Sequence, residues 1–475
     1  MGSKIVSPLK WVTALIACLG CSACIAERSY PLQDGDVQRL SPANHQDMTV
    51  RPWLQRAHRE LVERLPTGDP AALLTEDMVN ASGRPVDVYA HFQLDPAGLD
   101  SFFSNASGLI YSARLTGTDF RGNPPKLHWK NHEEVWIPVR EGLALHGELA
   151  LAQRDGRVID TDCVVIIPGL LGHNDIHRLK DLADALRAAG FHALLLELCG
   201  HGQTNTRFPA IHYNFGTLEA ADLLAVSEWL QNRPHVRRTG LIGFCWGANL
   251  ALLAAWYDGR AEVHSSISDR LAARLRPVSA KRHFEAGVIA FSPVLRFEDI
   301  IDALETEQSG WRHPALAHLQ DTICRRMKLK GFPNPSGSLF TLINDEFARS
   351  ALDYPGAVED GLDFLRLMPH RGRSDGDKLA DCRVPVLIVQ AANDPVAPAQ
   401  DVADLCARVD NRNVAGLILP NGGHVGFAAY ARSYYFSLAA NFFDVKSGPA
   451  TSRDARLTEA SSGRASLGST SRPSI

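Results

Sequence analysis

The chain has 475 residues, 45% of them hydrophobic and 21% charged, with a formal net charge of −4. That is enough apolar material for a large packed domain with additions, and there is no long basic run of the kind that binds nucleic acid, so that class of function is set aside. No metal or organic cofactor is implied by any cluster of ligand-type residues.

The first residues read as a leader. Lys4 and Lys10 precede an uncharged stretch, Trp11 to Ala26, that is short for a membrane-spanning helix. Leu15-Ile16-Ala17-Cys18 resembles a bacterial lipoprotein signal, and signal cleavage near Ala26 or an uncleaved anchor are the competing readings. Export or attachment to the cell envelope through residues 1–26 is therefore expected over a cytoplasmic location. Cys18, Cys21 and Cys24 lie within this apolar leader without His or carboxylate neighbours, so they do not read as a metal site. The other six cysteines are scattered without paired spacings, which argues against a disulfide framework.

Residues 27–130 read as an N-terminal extension that packs on the main domain. Within it, Pro52 or Trp53 to Leu65 has helical spacing, with Leu54, Leu61 and Leu65 on one side, and a second helix is expected to begin at Asp69 to Leu74. From Glu134 the pattern changes. Two strand-like runs, Val135–Val139 and Leu143–Ala152, are joined by Arg140-Glu141-Gly142, a hairpin signal. Short apolar strands then alternate with amphipathic helices: Val164–Ile167, Leu179–Ala189, Ala193–Leu198, Leu218–Leu230, the strand ending at Phe244, and the helix Ala248–Trp256. That alternation predicts an α/β fold with a mostly parallel sheet flanked by helices.

Residues 131–295 form the first part of this core. After Gly287–Ser292 the alternation stops, and residues 296–380 read as a helical insertion that caps the C-terminal edge of the sheet, where open α/β sheets bind ligands; extra helical packing without contact to substrate is the alternative. The core resumes over 381–445 with Val384–Val389, Gly416–Leu419 and a closing helix from about Ala428 to Phe443. Residues 446–475 are rich in Ser, Arg and Gly and are expected to be a disordered tail.

Chemistry concentrates at three strand ends. Leu241-Ile-Gly-Phe-Cys-Trp-Gly-Ala-Asn-Leu250 reads as strand, sharp turn and helix start, with Gly243 and Gly247 two residues either side of Cys245. A strained turn that brings strand and helix this close needs small neighbours, and a helix N-terminus favours a thiolate. Asp394 follows the strand Val384–Val389, and His424 follows Gly416–Leu419. His424 is the expected base and acid for the Cys245 thiol, and Asp394 the group that fixes its tautomer. The Trp246 amide and an amide of Pro168-Gly-Leu-Leu-Gly172, Leu170 first and Leu171 second, are the expected oxyanion donors. His201, in Cys199-Gly-His201-Gly-Gln-Thr204, is a weaker candidate base than the better-placed His424, and a structural role for it is what the resemblance to the family named next implies. His173 and His177 lie near the Pro168–Gly172 loop; exposed polar helix residues are the simpler reading, and contact with substrate is the alternative.

From Val164 to Phe443 the chain resembles the α/β-hydrolase superfamily, whose order of nucleophile, acid and His matches Cys245, Asp394 and His424. Pro168–Gly172, the helical insertion, Asn393-Asp394-Pro395 and Gly422–Phe427 look most like the YheT-like esterase branch, which carries serine as nucleophile. Gly243-Phe-Cys-Trp-Gly247 looks like the elbow of dienelactone hydrolases, and polyhydroxyalkanoate synthases also carry G-x-C-x-G. The resemblance implies hydrolysis of an ester, lactone or thioester through an acyl-cysteine. Acyl transfer by the same triad is the alternative, and a non-catalytic binding protein on this scaffold is a third. The expected partner is a small acyl ester.

Overall fold

The computed structural model describes residues 31–40, 49–64, 76–79, 85–90, 129–259, 267–277, 282–306, 314–368, 378–394, 396–419 and 422–444. The leader, most of the extension, Pro395 and the C-terminal tail lie outside these, so the readings made for them are not addressed by the structure.

In chain order the principal elements are helix α1 (Val50–Arg64), strands β1 (Glu76–Val79), β2 (Pro85–Ala90), β3 (Glu133–Arg140), β4 (Leu143–Ala150) and β5 (Thr161–Ile167), helix α2 (His177–Ala188), strand β6 (His192–Leu196), helix α3 (Glu219–Gln231), strand β7 (Val236–Phe244), helix α4 (Trp246–Asp258) and strand β8 (Gly287–Phe291). The insertion follows as α5 (Phe297–Thr306), α6 (Pro314–Leu329), α7 (Leu339–Ala348) and α8 (Ala357–Leu365). The core closes with β9 (Val386–Ala391), α9 (Ala399–Arg408), β10 (Val414–Leu419) and α10 (Phe427–Phe442).

The strands form one sheet in the order β1-β2-β10-β9-β8-β7-β5-β6-β4-β3. From β2 to β6 neighbouring strands are parallel, whereas β1, β4 and β3 pair antiparallel at the two ends. The inner strands β6, β8, β9 and β10 are buried along their whole length, as the continuous apolar runs predict for a sheet covered on both faces. The Arg140–Gly142 hairpin forms as expected, with Gly142 at φ 71°. Helix α4 is buried along its entire length, which explains why its sequence shows no polar face.

The N-terminal residues are more than a layer packed on the domain. Strand β2 pairs in parallel with β10, matching Gly416 to Val88 and Ile418 to Ala90, so it supplies the pairing partner that β10 otherwise lacks at the sheet edge. Residues 31–40 lie along α10: the Gln38 amide donates to Ser437 Oγ at 2.8 Å, the Leu40 amide to Asn441 Oδ1 at 2.8 Å, and Arg39 to the Ala440 carbonyl at 2.7 Å. Helix α1 buries Trp53, Leu54, Ala57 and Leu61, with Trp53 edge-on to Phe442 at 5.4 Å and His58 hydrogen-bonded to Tyr434 at 2.7 Å.

Candidate active site

The sharpest backbone feature is the turn from β7 into α4. Cys245 sits at φ 53°, ψ −122°, a conformation that costs a non-glycine residue roughly 1–3 kcal/mol. The surrounding glycines explain how it is held. A Cβ on Gly243 would lie 2.2 Å from the Gly247 carbonyl oxygen, and one on Gly247 would lie 2.2 Å from the Pro168 carbonyl oxygen. Strand, helix and the Pro168 loop therefore meet backbone to backbone. The Cys245 amide donates to the Phe291 carbonyl at 2.9 Å, which ties the turn to β8.

His424 approaches from the loop after β10. Gly422 and Gly423 adopt positive φ, the Gly423 amide donates to Asn393 Oδ1 at 2.9 Å, and the Val425 amide donates to Ser292 Oγ at 3.2 Å. Its Nδ1 lies 3.1 and 3.0 Å from the two carboxylate oxygens of Asp394, and the ring is hydrogen-bonded to the Cys245 side chain. An Nδ1–H held by the carboxylate leaves Nε2 to face the thiol. Burial favours the neutral ring, but Asp394 and then Cys245 outweigh it and raise the His424 pKa well above its ordinary value. The arrangement favours an imidazolium between a carboxylate and a sulfur that can ionise.

Asp394 is itself fixed from several sides. Its side chain is fully buried and accepts from Gln390 Nε2 at 2.8 Å, the Val396 amide at 2.8 Å and the Ala397 amide at 2.9 Å, besides His424. The three expected triad residues, on β7–α4, after β9 and after β10, thus converge although the outer two are 179 positions apart in the chain.

The loop Pro168–Gly172 lies over the sulfur: a Cβ on Gly169 would fall 3.0 Å from Cys245 Cβ and 3.6 Å from Sγ. One amide of this loop was expected to bind an oxyanion besides that of Trp246, Leu170 first and Leu171 as second choice, and their surroundings differ. The Leu171 amide donates to His201 Nε2 at 2.8 Å and is therefore committed. Among the described residues the Leu170 and Trp246 amides meet no acceptor. Leu171 carries the strain of this turn at φ 60°, and the Gly172 amide closes it onto the Gly169 carbonyl at 2.9 Å.

His201 is fully buried and engaged at both nitrogens. Nε2 accepts from Leu171, so Nδ1 carries the proton and donates to the Cys199 carbonyl at 2.7 Å. Burial pushes its pKa down to about 3, which keeps the ring neutral and matches the structural reading. His173 Nδ1 accepts the Asp175 amide at 3.1 Å, and His177 opens α2; both are half-buried. Glu197 escaped the sequence reading. It accepts from the Asn174 amide at 3.1 Å, the Gln203 amide at 2.6 Å and His146 at 3.0 Å, which joins the segment after the Pro168–Gly172 loop to the Gly-His-Gly loop. A carboxylate inside the apolar run Ala193–Leu198 was the available signal.

The six cysteines among the described residues are free thiols. Burial raises the pKa of Cys163, Cys199 and Cys382 far above the ordinary thiol range, so these three are inert. No cluster of three or more metal-ligating side chains occurs among the described residues, and no helix among them is long and apolar enough to cross a membrane.

The model of the alpha/beta hydrolase family matches residues 164–433, more than half of the chain. The chain belongs to this family. Among solved structures, an esterase from Pyrococcus furiosus is similar at 15% identity over 69% of this chain and 100% of that one, with a TM-score of 0.42. A 2,6-dihydroxy-pseudo-oxynicotine hydrolase is similar at 14% identity over 67% of this chain and 71% of that one, with a TM-score of 0.41. A dienelactone hydrolase from Anabaena variabilis is similar at 16% identity over 67% of this chain and 99% of that one, with a TM-score of 0.37. At these levels the likenesses do not bear on the substrate. In this alpha/beta hydrolase the strand ends that carry Cys245, Asp394 and His424 all lie on the C-terminal edge of the sheet, beside the helical insertion.

Proposed function

We propose that the protein hydrolyses a carboxylic ester, lactone or thioester through a Cys245-His424-Asp394 triad and an acyl-cysteine intermediate. The observation that carries this reading is a Cys245 thiol in a strained strand–helix turn, hydrogen-bonded to a His424 whose other face is held by a buried Asp394.

The chemistry follows from that geometry. The thiol proton passes to His424, which Asp394 stabilises as imidazolium, and the thiolate attacks the substrate carbonyl carbon. The C=O π electrons move to oxygen, and the Leu170 and Trp246 amides receive the oxyanion. Collapse restores the carbonyl and breaks the bond to the leaving oxygen or sulfur, which takes the proton from His424. Water then attacks the acyl-cysteine, giving its proton to His424. Collapse of the second intermediate releases the acid and the thiolate. A thiolate both attacks and leaves readily, so activated acyl groups suit this site better than amides.

Within the family, the Pro168–Gly172 loop, the helical insertion and the Gly422–Phe427 segment favour the YheT-like esterase branch, with the cysteine elbow as its departure. Attachment to the cell envelope through residues 1–26 belongs to the same reading.

The test is steady-state turnover of p-nitrophenyl acetate and a short thioester by wild type, Cys245→Ala and Cys245→Ser. Loss of turnover in the alanine variant with residual turnover in the serine variant is expected, and full activity in Cys245→Ala would remove the nucleophile assignment. Product that forms only when an alcohol or thiol acceptor is added would favour acyl transfer.

A further inference from the structure

The helical insertion grips the loop behind the oxyanion site through one buried ion pair. Arg326 on α6 and Glu346 on α7 are each 1% exposed. Arg326 Nε and Nη2 donate to Glu346 Oε1 at 3.0 and 2.8 Å, while Nη1 donates to the Gly200 carbonyl at 2.5 Å and to Asn205 Oδ1 at 3.2 Å. Gly200 is at φ 73°, and a Cβ there would strike Arg326 Nη2 at 2.7 Å, so the guanidinium lies directly against the backbone. The other carboxylate oxygen of Glu346 accepts from His212 at 2.6 Å and from the Tyr213 amide at 3.2 Å.

Both arms of the pair end on His201. Gly200 is its chain neighbour, and the Tyr213 ring stands edge-on to the imidazole at 4.7 Å. His201 Nε2 in turn accepts the Leu171 amide, which holds Leu171 at positive φ and sets the direction of the adjoining Leu170 amide. The path is contiguous: insertion, Gly-His-Gly loop, His201, Leu171, oxyanion donor. Arg326, Glu346, Gly200, His201, Tyr213 and Leu171 are each buried, and hydrogen bonds, the ring contact or the chain itself join them.

We propose that Arg326 and Glu346 are positioning residues for the oxyanion hole, acting through His201 to keep the Leu170 amide aimed at the reacting carbonyl. The insertion then takes part in catalysis without touching the reacting atoms. Burial alone would raise the Glu346 pKa, but Arg326 and then His212 outweigh it and hold it down to about 2. This inference rests on the acyl-cysteine reading above.

The test uses two reagents that both modify Cys245 but differ in what they need. Acylation by p-nitrophenyl acetate passes through an oxyanion; alkylation by iodoacetamide does not. In Arg326→Met/Glu346→Gln, which removes both charges together, acylation should fall by about 10- to 100-fold with KM little changed, since losing an oxyanion donor outright costs about 10²–10³ in kcat. Alkylation should stay within about twofold of wild type, because the Cys245–His424 pair is untouched. Arg326→Lys keeps a charge for Glu346 but not the fork that reaches Gly200; it should fold if the double variant does not, and should lose acylation about 3- to 10-fold with unchanged alkylation. Equal loss of both reactions, or no loss of acylation in a folded variant, would overturn the proposal. Failure of the wild type to form an acyl adduct would instead remove the underlying reading.

Discussion

Replacing Asp394 by asparagine removes one charge from a carboxylate that four donors share: His424, Gln390 and the Val396 and Ala397 amides. An asparagine has one acceptor oxygen, and the two backbone amides sit together on one side of the group, so its oxygen stays with them. Its NH₂ replaces Oδ2, the oxygen that accepts from Gln390 and lies 3.0 Å from His424 Nδ1, so Nδ1–H is left with a third place on Oδ1, 3.1 Å away and already taken by both amides. The imidazole either leans on that crowded oxygen or switches its proton to Nε2, which leaves no acceptor for the Cys245 thiol. The electrostatic loss adds to this. Unit charges about 4 Å apart interact by about 4 kcal/mol at an effective dielectric constant of 20, or roughly three decades in rate. The same change in a serine triad costs about 10⁴ in kcat. Acylation of Asp394→Asn by p-nitrophenyl acetate, followed by stopped flow, should fall about 10³- to 10⁴-fold, and alkylation by iodoacetamide near neutral pH should also slow. A folded Asp394→Asn enzyme acylated within about threefold of wild type would refute the reasoning.

The raised His424 pKa links stability to pH in a definite sense. Its contribution is fully present below the ordinary imidazole value and is lost as pH rises through the raised value, so the denaturation midpoint from about pH 6 to 10 should decline in wild type and decline less in Asp394→Asn. Gly247→Ala puts a Cβ 2.2 Å from the Pro168 carbonyl oxygen and 2.7 Å from that of Ile167, both backbone. Turn and loop must part, at about 1–3 kcal/mol or more, and acylation should drop about 100-fold; wild-type acylation would contradict the close packing inferred for the elbow. Trp53→Ala should destabilise by about 3–5 kcal/mol, read as a lower denaturant midpoint, because Trp53 is fully buried against Phe442. No change in the midpoint would detach α1 from the core.

The parts legible in the sequence are those whose constraint is local. Gly243 and Gly247 announce the elbow because no side chain fits where strand, helix and loop meet. Asp394 and His424 could be located because each follows a short apolar run that can only be a buried strand. The extension was less legible. The helical spacing around Trp53 identified α1, whose observed bounds begin a few residues earlier, but nothing in Pro85–Ala90 indicates that it pairs with β10, more than 320 residues away. Strand partnership is a non-local property and leaves no periodicity. The Arg326–Glu346 pair was missed for a different reason. Each residue lies on the buried stripe of its helix, Arg326 beside Ile323 and Met327, Glu346 beside Ile343 and Phe347. A charge on an apolar stripe is the signal that a buried partner exists, but two such charges on different helices do not say that they meet. That the Leu171 amide is taken by His201 while the Leu170 amide is left without an acceptor also needed coordinates.

The central claim is that Cys245 carries the acyl group. It is tested most directly by intact-mass spectrometry of the full chain after brief exposure to p-nitrophenyl acetate, followed by peptide mapping. The account predicts a single acetyl adduct on the peptide that contains Cys245, decaying in water without any acceptor and absent from Cys245→Ala. An unmodified Cys245 that iodoacetamide still alkylates, or an adduct on another residue that survives in Cys245→Ala, would contradict it.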